Sequence, residues 1–305
     1  MSEVLLTGGS GFLGKALIRI LTKRGYNITS ISKEKLDLSQ PGAYLELPRK
    51  KFSTILHLAT WTRAGTFCRE FPGDQWLVNE QINLNLLQYW KQYSLSANFI
   101  AFGTSAVYDK ISSSLREADY LRSDPPLDYY GYSTTKMSML HGLLSIQKQY
   151  NAAFQYFIPS MIYGPNYHVD GRPLHFVYDI IRKVYRNKIN GDEIILWGDG
   201  TEKREMIYID DVVEILSRFI RAPKSGVYNL NSGQSFSINE IVIEICSILE
   251  VDYSKISYDP KQGIGKKDKL LNNERLMNDC KFEFTSLNEG LRKTVNWVVK
   301  NYEII

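Results

Sequence analysis

The stretch Leu5–Gly14, LLTGGSGFLG, decides the fold. A short apolar run enters a glycine turn. The next residues, GKALIRILTKRG (Gly14–Gly25), carry apolar side chains at helical spacing and stop at a glycine. Gly8, Gly11 and Gly14 follow the spacing G-x-x-G-x-x-G, with Ser10, Phe12 and Leu13 between them. A dinucleotide pyrophosphate needs backbone N–H groups at a helix N-terminus, and a Cβ there would stand in its way. Glycine turns are common, so the triplet alone is weak. Its place between a strand and a helix reads it as a dinucleotide loop.

Outward from this loop, further short apolar runs follow: Tyr26–Ser32 (YNITSIS), Ser53–Thr60 (STILHLAT), Ala97–Ser105 (ANFIAFGTS) and Ala152–Gly164 (AAFQYFIPSMIYG). Helical patterns near residues 75–94 and 133–150 separate the later ones. Such alternation predicts an α/β fold, a doubly wound parallel sheet. The expected division is a dinucleotide-binding half, 1–165, to which 205–222 returns, and a smaller C-terminal α/β substrate domain, 166–204 and 223–305. The polar stretch near 259–270 interrupts that second half, and no internal repeat is visible.

The chain has 305 residues, 44% hydrophobic, with 37 basic and 33 acidic side chains. That is enough for a large core. The charge of +4 is spread without a basic run, which argues against nucleic acid and suits a small anion. Cys68, Cys246 and Cys280 are odd in number and far apart. They make neither a metal-ligand spacing nor a disulfide framework, which points to a reducing compartment and to no metal. No apolar run reaches the length of a membrane span, and no signal-peptide pattern opens the chain. The expectation is a soluble, cytoplasmic protein without a membrane partner.

The segment DYYGYSTTKM (Asp128–Met137) places Tyr132 four residues before Lys136. On a helix both side chains share a face, about 5–6 Å apart at Cβ. Alone, the pair reads most simply as a solvated helix surface.

Together with the glycine loop, however, it makes the chain resemble the extended short-chain dehydrogenase/reductase (NAD-dependent epimerase/dehydratase) family. The branch it resembles most is that of the GDP-L-fucose synthases and nucleotide-sugar 4-reductases. The motifs that carry the resemblance are TGGSGFLG (7–14), LDLS (36–39), HLAT (57–60), FPGDQWLVNEQINLNLLQYW (71–90) and FGTSAVYD (102–109). YGYSTTK (130–136), IPSMIYGPN (158–166), WGDGTEKREMIYIDDV (197–212) and YNLNSG (228–233) extend it over nearly the whole chain. The resemblance implies a Rossmann domain with a small substrate domain, a nucleotide-diphosphate sugar as substrate, and a homodimer formed through two helices per subunit.

It also implies roles. Tyr132 is the general acid/base at the sugar carbon. A free tyrosine has a pKa of about 10, and the cation of Lys136 is expected to lower it. Lys136 also reaches the nicotinamide ribose. A hydroxyl in the motif S/T-x-x-V-Y falls on Thr104, with Ser105 the neighbouring alternative. It donates to the developing oxyanion. Asn79 is open between supporting the active-site strand and being a buried structural amide. Cofactor contacts fall on Gly8, Ser10, Gly11, Phe12, Leu13, Gly14, Leu38, Leu58, Ala59 and Pro159, besides Tyr132 and Lys136. After the second strand, where NAD binders carry an acid, stand Ser32 and Lys33. Lys33 suits a 2′-phosphate, which favours NADP, while Glu34 keeps NAD as the alternative. Asp37 is open between lying against the adenine and capping a turn. Tyr129 and Tyr130, outside the spacing, are read as packing or substrate-side aromatics.

Departures from the family pattern narrow the chemistry. Fucose synthases keep a Cys two residues after the hydroxyl residue, and 4,6-dehydratases have Asp and Glu after it. Here the position is Ala106, which moves no proton. Ser105, if on a strand, faces away from Thr104 and Ala106. His175 lies near the family's histidine acid, with His168 competing. Met161 replaces a usual Asn near the substrate. Arg204 matches an arginine on the nucleotide diphosphate, the plainer reading being a surface pair with Glu205 or Asp210. Trp197 reads as core, although its motif lies near the nucleotide. The substrate side thus comprises Ser105, Met161, His175 and Arg204. The expected activity is NADPH-dependent reduction of the C4 ketone of a 4-keto-6-deoxy, GDP-linked sugar. The alternatives are a fucose-synthase-like 3,5-epimerase/4-reductase using His175, and an NAD-dependent 4-epimerase. A dinucleotide sensor on the same fold would need the glycine loop but not Thr104, Tyr132 and Lys136.

Overall fold

A computed structural model describes residues 2–108, 114–168, 171–261 and 270–302. The strands are β1 (Glu3–Thr7), β2 (Asn27–Ile31), β3 (Thr54–His57), β4 (Asn98–Phe102), β5 (Ser114–Leu115), β6 (Phe154–Pro159) and β7 (Met161–Tyr163). They continue with β8 (Ile194–Trp197), β9 (Lys203–Tyr208), β10 (Gly226–Leu230), β11 (Ser235–Ser237), β12 (Ile256–Asp259) and β13 (Leu270–Leu271). The helices are α1 (Phe12–Lys23), α2 (Phe67–Glu70), α3 (Pro72–Tyr93), α4 (Tyr130–Tyr150) and α5 (Phe176–Asn190). After them come α6 (Ile209–Arg221), α7 (Ile238–Leu249), α8 (Glu274–Asp279) and α9 (Leu287–Lys300).

Six parallel strands form the main sheet in the order β10-β6-β4-β3-β1-β2. The chain leaves β1 toward β2, then crosses back to β3. The reversal lies between β1 and β3, where ligands of such sheets bind beyond the strand C-termini. Strand alternation sends successive side chains to opposite faces. Val4, Leu6, Leu56, Ile100 and Phe157 pack with α1 and α6, while Leu5, Ile55, Phe99 and Tyr156 pack with α3 and α4. Helix α6, from residues 209–221, lies on that first face. One boundary differs. Gly226–Leu230, expected with the substrate half, is the edge strand β10, because its parallel pairing with β6 buries the backbone from Tyr228 to Leu230.

The C-terminal part adds the sheet β11-β9-β7, the pair β12-β8, and helices α5, α7 and α9. The polar stretch near 259–270 falls mostly outside the described residues. Helices α3 and α4 leave Trp76, Leu77, Leu84 and Tyr130 exposed. Among the described residues, no helix is long and apolar enough to cross a membrane.

The glycine in YGY has a packing cause. A Cβ on Gly131 would collide with the carbonyl of Pro72, so glycine lets the first turn of α4 sit directly on the start of α3.

Candidate active site

The glycine loop is folded as its spacing requires. Gly8 has φ +73°, and a Cβ on it would come within 2.8 Å of Ala59 N and of the Leu58 carbonyl carbon. The loop is therefore pressed onto Leu58 and Ala59 after β3. A Cβ on Gly14 would run into the Gly8 carbonyl. Gly11 is different: its Cβ would meet only Gly8 O, at 3.3 Å. It is the N-cap of α1, with no side-chain cap and no acid in the first turn. Helix N-terminal amides left uncapped on an open side are what a pyrophosphate needs, so these residues fit a dinucleotide.

After β2, the Lys33 side chain is 73% exposed and its ammonium is 3.8 Å from Asp37. Asp37 accepts hydrogen bonds from Ser39 N (3.0 Å) and Oγ (2.7 Å), which hold its carboxyl below the usual range. Of its two readings, the turn cap is formed. Glu34 is likewise held low by the Ser32 hydroxyl. Leu38 is buried in the core and offers a ligand little surface, while Pro159 closes β6 at the strand C-termini.

Tyr132, Thr104 and Lys136 converge. Thr104 follows β4; its Oγ1 accepts the Ala106 N–H at 3.2 Å, and its hydroxyl stands close enough to the Tyr132 phenol to favour the phenolate. Lys136 Nζ lies 5.6 Å from the centroid of the Tyr132 ring. Two expectations change here. Ser105 is not on a strand, because Ser105–Val107 is a 3-10 turn capped by Thr104. Nor is the Tyr132 phenol held below its usual range. Burial raises it, the nearby Cys68 adds to the rise, and the neighbouring Thr104 hydroxyl offsets only part. Lys136 is itself buried, which pulls it down to about 8. Both charged forms suffer from the same desolvation.

A buried chain of hydrogen bonds fixes this helix. Ala59 N–H donates to Thr7 Oγ1 (3.2 Å), which contacts His57 Nδ1 at 2.9 Å; His57 Nε2 is 3.1 Å from Asn83 Oδ1; Asn83 Nδ2 donates to Thr135 O at 3.2 Å. Since the Asn83 amide nitrogen donates, its oxygen accepts, so His57 carries its proton on Nε2 and receives the Thr7 hydroxyl on Nδ1. Burial pushes His57 down to about 4, which keeps it neutral. Sequence reading missed His57 and Asn83; the signal was a lone imidazole inside the apolar run STILHLAT.

Asn79 accepts from Trp61 N (2.7 Å) and Thr60 Oγ1, and donates to Trp61 O and Gln75 O. It is a buried amide that also pins the loop after β3. On the substrate side, Met161 opens β7 partly buried, and His175 is the exposed N-cap of α5, 5.9 Å from Tyr167 in ring centroids. Arg204 pairs with neither expected acid. Its Nη2 is 2.7 Å from Glu202, whereas Glu205 accepts from Asn231 and Leu271, and Asp210 pairs with Arg19. Glu202 is only 4% exposed, and its second oxygen has no partner among the described residues. Trp197 is not core: it is 63% exposed, because alternate residues of β8 face outward.

The sequence model of the NAD dependent epimerase/dehydratase family matches residues 4–231, which include the glycine loop, Thr104, Tyr132 and Lys136. GDP-L-fucose synthase 1 of Arabidopsis thaliana is 23% identical over 98% of this chain and 94% of its own length. A GDP-L-fucose synthetase from Naegleria fowleri bound to NADP superposes with a TM-score of 0.84 at 21% identity, covering 99% and 95% of the two chains. A GDP-6-OMe-4-keto-L-xylo-heptose reductase from C. jejuni gives 0.84 at 17% identity, covering 98% of each.

The pKa of Lys136 sets a pH dependence. The ammonium is the charged form, so it is present below about 8 and lost above. The pH profile of kcat/KM, which reports groups of the free enzyme, is expected to fall above about pH 8, and Lys136→Arg to remove that limb. A profile flat to pH 10 in the wild type would contradict the assignment of Lys136.

Proposed function

The chain belongs to the NAD dependent epimerase/dehydratase family and is an NAD(P)-dependent nucleotide-sugar oxidoreductase; on that premise we propose that it reduces the C4 ketone of a 4-keto-6-deoxy nucleotide sugar, with Tyr132 as the acid. The observation that carries this reading is the convergence of the Thr104 hydroxyl and the Tyr132 phenol beside the buried Lys136, whose Nζ lies 5.6 Å from the Tyr132 ring centroid.

When bound, NADPH supplies the hydride. The chain's own groups handle the proton. Raised by burial, the phenol carries its proton at neutral pH, which is the loaded form for protonating a C4 oxygen. Thr104 takes the Ala106 N–H on its lone pair, so its own hydroxyl proton is free to polarise that oxygen. As the phenol proton leaves, the Lys136 ammonium stabilises the phenolate. A base for the reverse, oxidising direction is scarce in the free protein. Arg204 would meet the diphosphate in exchange for part of its pairing with Glu202, and the exposed Trp197 would stack on the base. The relatives named for GDP sugars support a GDP link.

The exposed ammonium of Lys33, only loosely paired with Asp37, supports NADP, as does the NADP-bound Naegleria relative. Calorimetry of NADPH and NADH is expected to show tighter NADPH binding, lost in Lys33→Ala. Equal binding of both by the wild type would rule this out.

Ala106 supports reduction without change at C3 or C5. Cys68 favours a second reading, the 3,5-epimerase/4-reductase, because its thiol stands near enough to oppose Tyr132 ionisation. Turnover of a GDP-linked 4-keto-6-deoxy sugar with NADPH in deuterated water separates them. The reductase leaves no carbon-bound deuterium. Deuterium at C3 or C5, abolished in Cys68→Ser or His175→Gln, would establish the second reading instead.

A further inference from the structure

Behind the catalytic groups lies a line of buried tyrosine hydroxyls that the reaction above does not use. Tyr156, in the middle of β6, donates to the backbone oxygen of Lys136 at 2.7 Å. Its single proton is then committed, so toward Tyr120, at 3.3 Å between hydroxyl oxygens, it acts as acceptor. Tyr120 donates that bond and accepts one from the backbone N–H of Thr104 at 3.2 Å. The line therefore has one direction, from Thr104 N–H through Tyr120 and Tyr156 to Lys136 C=O. Both rings are 0% exposed. Burial raises both phenols, so both keep their protons.

Room has been made for it. A Cβ on Gly103, the residue before Thr104, would lie 2.7 Å from Tyr120 Oη and 2.7 Å from Tyr156 Cε1. The ring of Tyr120 is held edge-on between Tyr156 (5.7 Å) and Tyr108 (5.4 Å). Tyr108 in turn donates to Asn229 of β10 at 2.6 Å. Tyr120 itself comes from a separate 3-10 turn, Glu117–Arg122. Three chain segments thus cooperate to tie the end of a strand to the first turns of a helix.

We propose that Tyr120 and Tyr156 are positioning residues: a two-tyrosine strut that sets the separation of Thr104 from the helix carrying Tyr132 and Lys136. The proposal rests on the catalytic assignment of those three residues. Its consequence is kinetic, since a misplacement of about 1 Å at a reacting centre can lower the rate about 10²-fold.

The test compares Tyr120→Phe, Tyr156→Phe, the double variant and Tyr132→Phe, with melting temperature, kcat, KM and NADPH affinity measured for each. Both single variants are expected to remain folded and to lose about tenfold or more in kcat, within the range that small misplacement produces. KM for the sugar and NADPH affinity should stay within about twofold, since neither tyrosine faces a ligand. The double variant is expected to be no slower than the slower single one, because either hydroxyl's removal interrupts the same line; independent packing losses would instead multiply. Gly103→Ala, which keeps both hydroxyls but displaces the rings, should give the same loss of kcat. Wild-type kcat in both single variants, with Tyr132→Phe inactive, would overturn the strut and leave the acid assignment standing. So would losses that multiply in the double variant. Full activity of Tyr132→Phe would overturn the acid assignment, and the strut with it.

Discussion

The approach of the Thr104 hydroxyl to the Tyr132 phenol brings the end of a strand to the first turn of a helix, and much of the molecule is arranged to hold it there. Strand ends and helix starts are set by different parts of the sequence. Their relative position is fixed only by packing between them. Gly131 lets α4 rest on Pro72, the Thr7–His57–Asn83 chain ties Thr135 to β1 and β3, and the tyrosine hydroxyls tie Lys136 to Thr104. The last two are buried polar structure with their partners satisfied, which is where hydrogen bonds confer geometry rather than bulk stability.

Burial then decides the electrostatics. The expected picture, a lysine lowering a tyrosine, assumes that the attraction between them exceeds the loss of water. Here Lys136 lies over the Tyr132 ring, 5.6 Å from its centroid, and is itself driven down to about 8, while the phenol is driven up. A neutral acid beside a lysine titrating near working pH is suited to giving a proton to an alkoxide as it forms. The neutral His57 adds no competing charge beside Lys136.

The glycine loop and the strand–helix alternation were legible in sequence because they are local: one turn, one period. Thr104, Tyr132 and Lys136 were legible through the resemblance. Three kinds of feature were not. Edge strand β10 is defined by pairing with β6, seventy residues away, and nothing in GVYNL tells a sheet edge from a substrate domain. The 3-10 turn at Ser105 depends on the Thr104 side chain capping it. The partners of His57, Tyr120, Tyr156 and Arg204 depend on segments brought together only by the fold, so each looked like an isolated polar residue in an apolar run or a charge with several possible mates.

Transfer of deuterium from NADPH carrying deuterium at both nicotinamide C4 positions, whichever face delivers the hydride, tests the central claim most directly. With a 4-keto nucleotide sugar as substrate, the account predicts one deuterium per product molecule, located at sugar C4, and one equivalent of oxidised cofactor. Product formed with the label still on the cofactor, or with no net cofactor oxidation, would contradict it and identify a redox-neutral epimerase.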